Sequence, residues 1–301
     1  MQHLSRVLAA VDFSRPARSA FEYALALAKR HDAELVVVQA VPPEEPFNRG
    51  GRERLALKTR LEQRAEEARV EFTYRVQHGD AAEIILLHAQ TLHPDVIVIG
   101  SHRRRGLARL RAGSVSERVV AKATVPVLLV PARPRAAATV PFRHVAVAVD
   151  LKAGSSSAME RAFAVAGDTA ERITLLHVVP GFSSGVPPHL YRYGVADYQS
   201  HLVRDARRGL QLAAAGRRPS RAAIHTRILS GDTTAEISRV VGGMGADLLI
   251  VGAPRRGAIA RAFLGTTAAR VSQTIDVPLL IVPVGDRKID RPVDRTLLRA
   301  A

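Results

Sequence analysis

A stretch of 37 residues is written twice in this chain, and no other feature restricts its fold as strongly. Residues 95–131 read DVIVIGSHRRRGLARLRAGSVSERVVAKATVPVLLVP, and residues 247–283 read DLLIVGAPRRGAIARAFLGTTAARVSQTIDVPLLIVP. Gly100 answers Gly252, Gly113 answers Gly265 and Pro126 answers Pro278, each 152 positions later. Self-similarity at a fixed interval marks a duplicated structural unit. A chain of 301 residues has room for two ordinary domains of about 150 residues each.

The start of the first copy, residues 96–99, is wholly apolar and bounded by Pro94 and Gly100. That pattern predicts a strand buried on both faces of a parallel sheet. A glycine-punctuated, arginine-rich loop follows. Ser114, with Glu117 three positions on, is the reciprocal cap of a helix start, and Val115, Val119 and Val120 are expected on its inner face. Gly113 and Ser114 therefore belong to a helix N-terminus, where unpaired amides and the positive end of the dipole favour a phosphate. A last strand is expected at 127–130.

The rest of each unit alternates strand and helix. In the first, strands are expected at 7–11, 35–41 and 72–76, with helices at 16–31, 51–69 and 81–92; Leu55, Leu57 and Leu61 are the expected inner residues of the second helix, and Asp80 the cap of the third. The second unit repeats the order: strands at 145–149, 173–179, 224–229, 248–251 and 279–282, and helices at 157–166, 195–214 and up to Gly243. Strands alternating with helices, all buried on two faces, give an α/β fold of two tandem, doubly wound, five-stranded parallel sheets. Asp150 lies 138 positions after Asp12 whereas Gly231 lies 152 after Gly79, so 14 extra residues enter between strands two and three of the second unit. The segment 181–198, with three tyrosines, is that insertion and is expected to be an ordered surface loop. The expected boundaries are 1–135 for the first domain and 142–285 for the second, joined by a proline- and alanine-rich linker, with a polar tail at 286–301. The apolar final strands of the two units could pair edge to edge, between units or between chains.

Composition narrows the chemistry. The absence of cysteine removes disulfides, thiolate metal sites and cysteine nucleophiles. No run approaches the length of a membrane helix, and Arg6 and Asp12 interrupt the place where a signal peptide needs an apolar core; a cytoplasmic protein is expected. The net charge of +16 divides at Ala138 into +7 and +9, and only five of the 44 basic residues are lysine. That describes a preference for arginine better than a nucleic-acid surface, since no nucleic-acid motif and only 4% aromatics accompany it. His88 and His93 are five apart, not the spacing that puts two imidazoles on one helix face. Neither a nucleophile elbow nor a hydrolytic phosphate loop is present, so any phosphoryl chemistry is expected to be slow and incidental.

A strand-one Asp followed by Phe-Ser, a fourth strand leading into Gly-Ser-His, and a later Gly-Ser-Val-Ser-Glu resemble the universal stress protein family in its two-domain form, over residues 3 to 284. The resemblance implies a Rossmann-like fold of the adenine nucleotide alpha-hydrolase type. In the nucleotide-binding branch of that family the pattern Gly-x-x-Gly, nine residues, then Gly-Ser or Gly-Thr holds the phosphates of ATP. The strand-one Asp and a valine ending strand two hold the nucleoside. Carried onto this chain, the implied site residues are Ala10, Val11, Asp12, Ala40, Gly100, Arg103, Gly113, Ser114, Val115 and Ser116 in the first unit. In the second they are Val149, Asp150, Val178, Gly252, Arg255, Gly265, Thr266 and Thr267. The first unit has the better phosphate end; the second, with His177 and Val178, has the better adenine end.

Both units depart from the pattern at one matching place. Three residues after Gly100 stands Arg103, and three after Gly252 stands Arg255, with the nine-residue spacing to Gly113 and Gly265 intact. Glycine lets a backbone approach phosphate closely, and arginine opposes that approach while supplying paired hydrogen bonds of its own. Two readings stay open: an adenine nucleotide bound with arginine replacing backbone contact, or a nucleotide-free member acting through protein partners, with Arg103 and Arg255 filling the cradles. Asp12 and Asp150 likewise have two readings, as ligand contacts at the carboxyl edge or as caps of the next helix.

Overall fold

The computed structural model describes residues 3–44, 50–101, 115–132, 134, 142–151, 160, 163, 170–181, 195–215, 222–254 and 266–284. Most of the expected helix at 157–166, most of the linker, most of the insertion and the tail lie outside the described residues. The first unit runs β1 (Arg6–Val11), α1 (Arg15–His31), β2 (Glu34–Val41), α2 (Gly51–Ala68), β3 (Phe72–His78), α3 (Ala81–Leu92), β4 (Val96–Ser101), α4 (Val115–Lys122) and β5 (Val127–Pro131). The second runs β6 (His144–Ala148), β7 (Arg172–Val179), α5 (Val195–Ala215), β8 (Ala223–Ser230), α6 (Thr233–Gly243), β9 (Leu248–Pro254), α7 (Thr266–Ser272) and β10 (Leu279–Val284).

The two five-stranded sheets are one. Strand order is β3-β2-β1-β4-β5-β10-β9-β6-β7-β8, parallel throughout except where β5 meets β10 antiparallel, with Leu279 opposite Leu129 and Ile281 opposite Val127. The final strands thus pair between the units of one chain. Because side chains alternate across a strand, the seam feeds two continuous cores. Leu128, Val130, Leu280 and Val282 join Val7, Ala9, Val145 and Val147 on one face; Val127, Leu129, Leu279 and Ile281 join Leu8, Ile97, Leu249 and Val251 on the other. Phe142, at the entry to the second unit, stacks on Tyr23 of α1 with centroids 6.1 Å apart. Burial pushes the Tyr23 phenol up to about 12, and the Asp247 carboxylate of the second unit adds to the rise.

Four expectations are corrected. Leu55 is 63% exposed while Leu57 and Leu61 are buried: the inner stripe of α2 is Leu57, Leu61 and Ala65 at helical spacing, and Leu55 lies off it. Val115 is exposed at the first turn of α4, leaving Val119 and Val120 to bury that helix. Strands β3 and β8 are not buried on two faces, because they are the outer edges of the long sheet. Residues 195–198, assigned above to the insertion loop as well, form the first turn of α5.

Candidate functional site

The strand order in each unit reverses beside its first strand: β1 lies between β2 and β4, and β6 between β7 and β9. Connections there leave toward opposite faces, which opens a crevice at the carboxyl ends of the strands. Register sets the residues that share this level. Ala10 pairs with Val38 and with Ile99, so Asp12 stands level with Ala40 and Val11 with Gly100. In the second unit Ala148 pairs with Leu176 and Val251, which brings Asp150 level with Val178 and Val149 with Gly252. Ala10, Val11 and Val149 are buried, Asp12 and Asp150 exposed, and Ala40, Gly100, Val178 and Gly252 half-buried. The structure therefore gathers these nine residues into two matching edges.

Helices α4 and α7 supply the other wall. Val115 opens α4, with Ser116 buried behind it; Thr266 opens α7, with Thr267 half-buried. Arg103, Gly113, Ser114, Arg255 and Gly265 lie outside the described residues. Among the described residues no three His, Asp or Glu side chains cluster as metal ligands would.

Local chemistry explains how the edge is built. Asp12 Oδ1 accepts from the Ser14 amide at 2.8 Å, and Ser14, not Asp12, caps α1, its hydroxyl accepting from the Ala17 amide at 3.3 Å. One Asp12 oxygen is thus engaged in its own turn. Gly100 has a separate cause. A Cβ there would lie 2.5 Å from the Pro16 carbonyl carbon and 2.8 Å from the Ala17 nitrogen, so the glycine is what lets α1 pack against β4. At the base level of the second unit, His177 Nδ1 donates to the Val149 carbonyl at 2.7 Å. The matching Gln39 of the first unit is buried and accepts from the Tyr74 hydroxyl, whose ionisation burial pushes up to about 12.

One pairing in each unit, of an arginine with a helix-capping aspartate, escaped the sequence reading. Gly79 and Gly231 both turn with φ near +140°, a region open to glycine, and the following Asp80 and Asp232 cap α3 and α6 by accepting from the Glu83 and Ala235 amides at 3.0 and 2.9 Å. Arg118 of α4 reaches Asp80 at 2.6 Å, and Arg270 of α7 stands 3.9 Å from Asp232. Each arginine ties the helix that follows the arginine-rich segment to the neighbouring cap. The signal was there to be found, since 118 and 270, like 80 and 232, are 152 apart. Asp80→Ala is expected to cost about 1 kcal/mol, the ordinary value of an N-cap. The hydrogen bond from Arg118 holds the Asp80 carboxyl below its ordinary 3.8. That stabilisation is fully present above 3.8 and disappears as the pH falls through the depressed folded value. Urea unfolding of the wild type and of Arg118→Ala should therefore differ at neutral pH and converge in acid; a constant difference would refute the pairing.

The chain can now be set beside known proteins. The model of the universal stress protein family matches residues 3–131 and again 141–283. A Thermus aquaticus relative, "Universal stress protein in QAH/OAS sulfhydrylase 3'region", is 38% identical over 138 residues, 41% of this chain and 96% of its own. "Stress response protein NhaX" of Bacillus subtilis is 29% identical over 165 residues, 43% of this chain and 99% of its own. Both are a single unit long. A crystal structure of a universal stress protein from Archaeoglobus fulgidus superposes with a TM-score of 0.72 at 19% identity, covering 95% of this chain and 99% of that one, a likeness of fold across both units.

Proposed function

This chain belongs to the universal stress protein family as a tandem of two of its units, and on that premise we propose that it is a cytoplasmic stress-response module that binds ATP or a related adenine nucleotide at the carboxyl edge of at least one unit. The observation that supports this reading is the recurrence, at one level of the sheet and beside each reversal of strand order, of Asp12 with Ala40 and Gly100, and of Asp150 with Val178 and Gly252.

In this reading Asp12 or Asp150 accepts hydrogen bonds from the ribose hydroxyls, and the ends of β2 and β7, at Ala40 and Val178, flank the base. Ala10, Val11 and Val149 present backbone at the floor. The phosphates lie against Gly113, Ser114, Val115 and Ser116, or against Gly265, Thr266 and Thr267, where the first amides of α4 and α7 offer partial positive charge; Arg103 and Arg255 add full charges. A bound nucleotide would supply a reversible occupancy signal. Because β5 and β10 join the units, occupancy of either edge is felt by one shared scaffold, an internal pseudo-dimer. No catalytic step is assigned to Asp12 or Asp150.

A second reading is favoured by one observation: arginine stands at the matching loop position of both units. There the guanidinium groups occupy the cradles and the protein acts through protein partners. Heat-denatured protein, its supernatant resolved by ion exchange, separates the two. The first reading expects released adenine nucleotide, or saturable binding of added ATP below about a millimolar; neither, with binding gained on Arg103→Gly, establishes the arginine as an occluder.

A further inference from the structure

Between them, α1 and α2 flank a cleft of about 540 Å³ lined by Arg15, Arg18, Glu22, Arg60 and Arg64 over a floor of Phe21 and Leu61. The floor is buried while the arginines stand exposed around it. Glu22 is the one carboxylate in this lining, and Arg64 consumes it, with Nη2 2.9 Å and Nε 3.4 Å from its two oxygens. Arg64 is shared further with Glu67 at 2.8 Å. Among the described residues Arg15, Arg18 and Arg60 have no carboxylate partner, although Arg6, Arg64, Arg118, Arg143, Arg239 and Arg270 each have one. Three uncompensated guanidinium groups from two helices therefore surround one concavity, where low-dielectric walls focus their field.

The duplication supplies an internal control. The register of β1 with β2 and of β6 with β7 is shared at an offset of 138, and in the sequence that offset aligns Ala153 and Ser156, which lie outside the described residues, with Arg15 and Arg18. On α5, the buried Ala206 and Leu210 repeat the spacing of Leu57 and Leu61, which sets Gly209 and Ala213 in the places of Arg60 and Arg64. There the side chain of Leu151 packs onto Gly209, 3.0 Å from where a Cβ would stand. At the described α5 positions the second unit therefore lacks the guanidinium groups that Arg60 and Arg64 supply in the first.

We propose that the α1–α2 cleft of the first unit is a second anion site, which takes a small molecule bearing two or more phosphate groups. Guanidinium groups match phosphate oxygens with paired hydrogen bonds, the volume suits a small ligand, and three free charges call for a polyvalent one. The apolar floor can also carry an organic body. This site shares no lining residue with the carboxyl edge and stands or falls separately from the nucleotide reading.

Calorimetric titration of the full chain at low salt with inorganic tripolyphosphate, and separately with isopentenyl diphosphate, tests it. Wild-type protein should bind the tripolyphosphate saturably, and Arg18→Glu/Arg60→Glu should weaken binding at least about tenfold. Arg207→Glu/Arg208→Glu, which makes the same change of net charge on the exposed face of α5, should leave it within about twofold. All four residues are exposed, and unchanged thermal midpoints will verify folding. Tighter binding of the organic diphosphate assigns an organic ligand, and tighter tripolyphosphate an inorganic one. No binding of either probe, or equal loss in the two double variants, overturns the proposal.

Discussion

Replacing Gly100 by alanine is expected to cost the first unit about 3 kcal/mol, at the upper end of what one overpacked methyl group does in a close-packed interior. The added Cβ meets backbone: it would stand 2.5 Å from the Pro16 carbonyl carbon, 2.7 Å from Pro16 Cβ and 2.8 Å from the Ala17 nitrogen. Pro16 is locked in φ and buried at the first turn of α1, so relief requires the whole N-terminal end of α1 to lift from β4. That end carries Ser14 and the Asp12 turn, and the substitution should disturb the carboxyl edge along with the stability. Denaturant unfolding followed by circular dichroism measures it; a loss under about 0.5 kcal/mol, the range of an ordinary surface change, would show that α1 does not approach β4 as closely as described.

Leu280→Ala is expected to cost about 4 kcal/mol, within the range for truncating a fully buried leucine. Leu280 is 0% exposed and sits opposite Leu128 across the antiparallel seam, the one strand pairing between the two units among the described residues. The cavity it leaves touches both halves of the core on that face, so the two units should lose stability together. A variant that lowers the midpoint of one unit and spares the other would show the units to be independent domains on a linker. Leu212→Ala, at a side chain 68% exposed, should change stability by less than about 0.5 kcal/mol and serves as the control.

The order of elements was legible because parallel strands buried on two faces are written as short apolar runs between breakers, as at Val96–Ser101 and Leu279–Val284. What could not be read is what depends on distant partners. The apolar strands β5 and β10 look equally ready to pair with each other or with another chain, and only their placement in one sheet decides it. Strands β3 and β8 lose their burial for the opposite reason, having no outer neighbour. At the site, Asp12 and Gly100 were recognisable by position, yet the physical need for Gly100 comes from Pro16, 84 positions earlier, which no local pattern announces. Arg118 was passed over because its partner Asp80 belongs to a different helix, and the arginines of the α1–α2 cleft for the same reason. In both cases comparing one unit with its repeat exposes what a single pass along the chain conceals.

Calorimetric titration of ATP into the full chain, beside an Asp12→Ala/Asp150→Ala variant, tests most directly the proposal that the two carboxyl edges receive a nucleotide. Saturable binding below about a millimolar is expected for the wild type, with a loss of at least about tenfold when both carboxylates are removed. Absence of saturation in the wild type at several times that concentration, or binding indifferent to the loss of both aspartates, would contradict it.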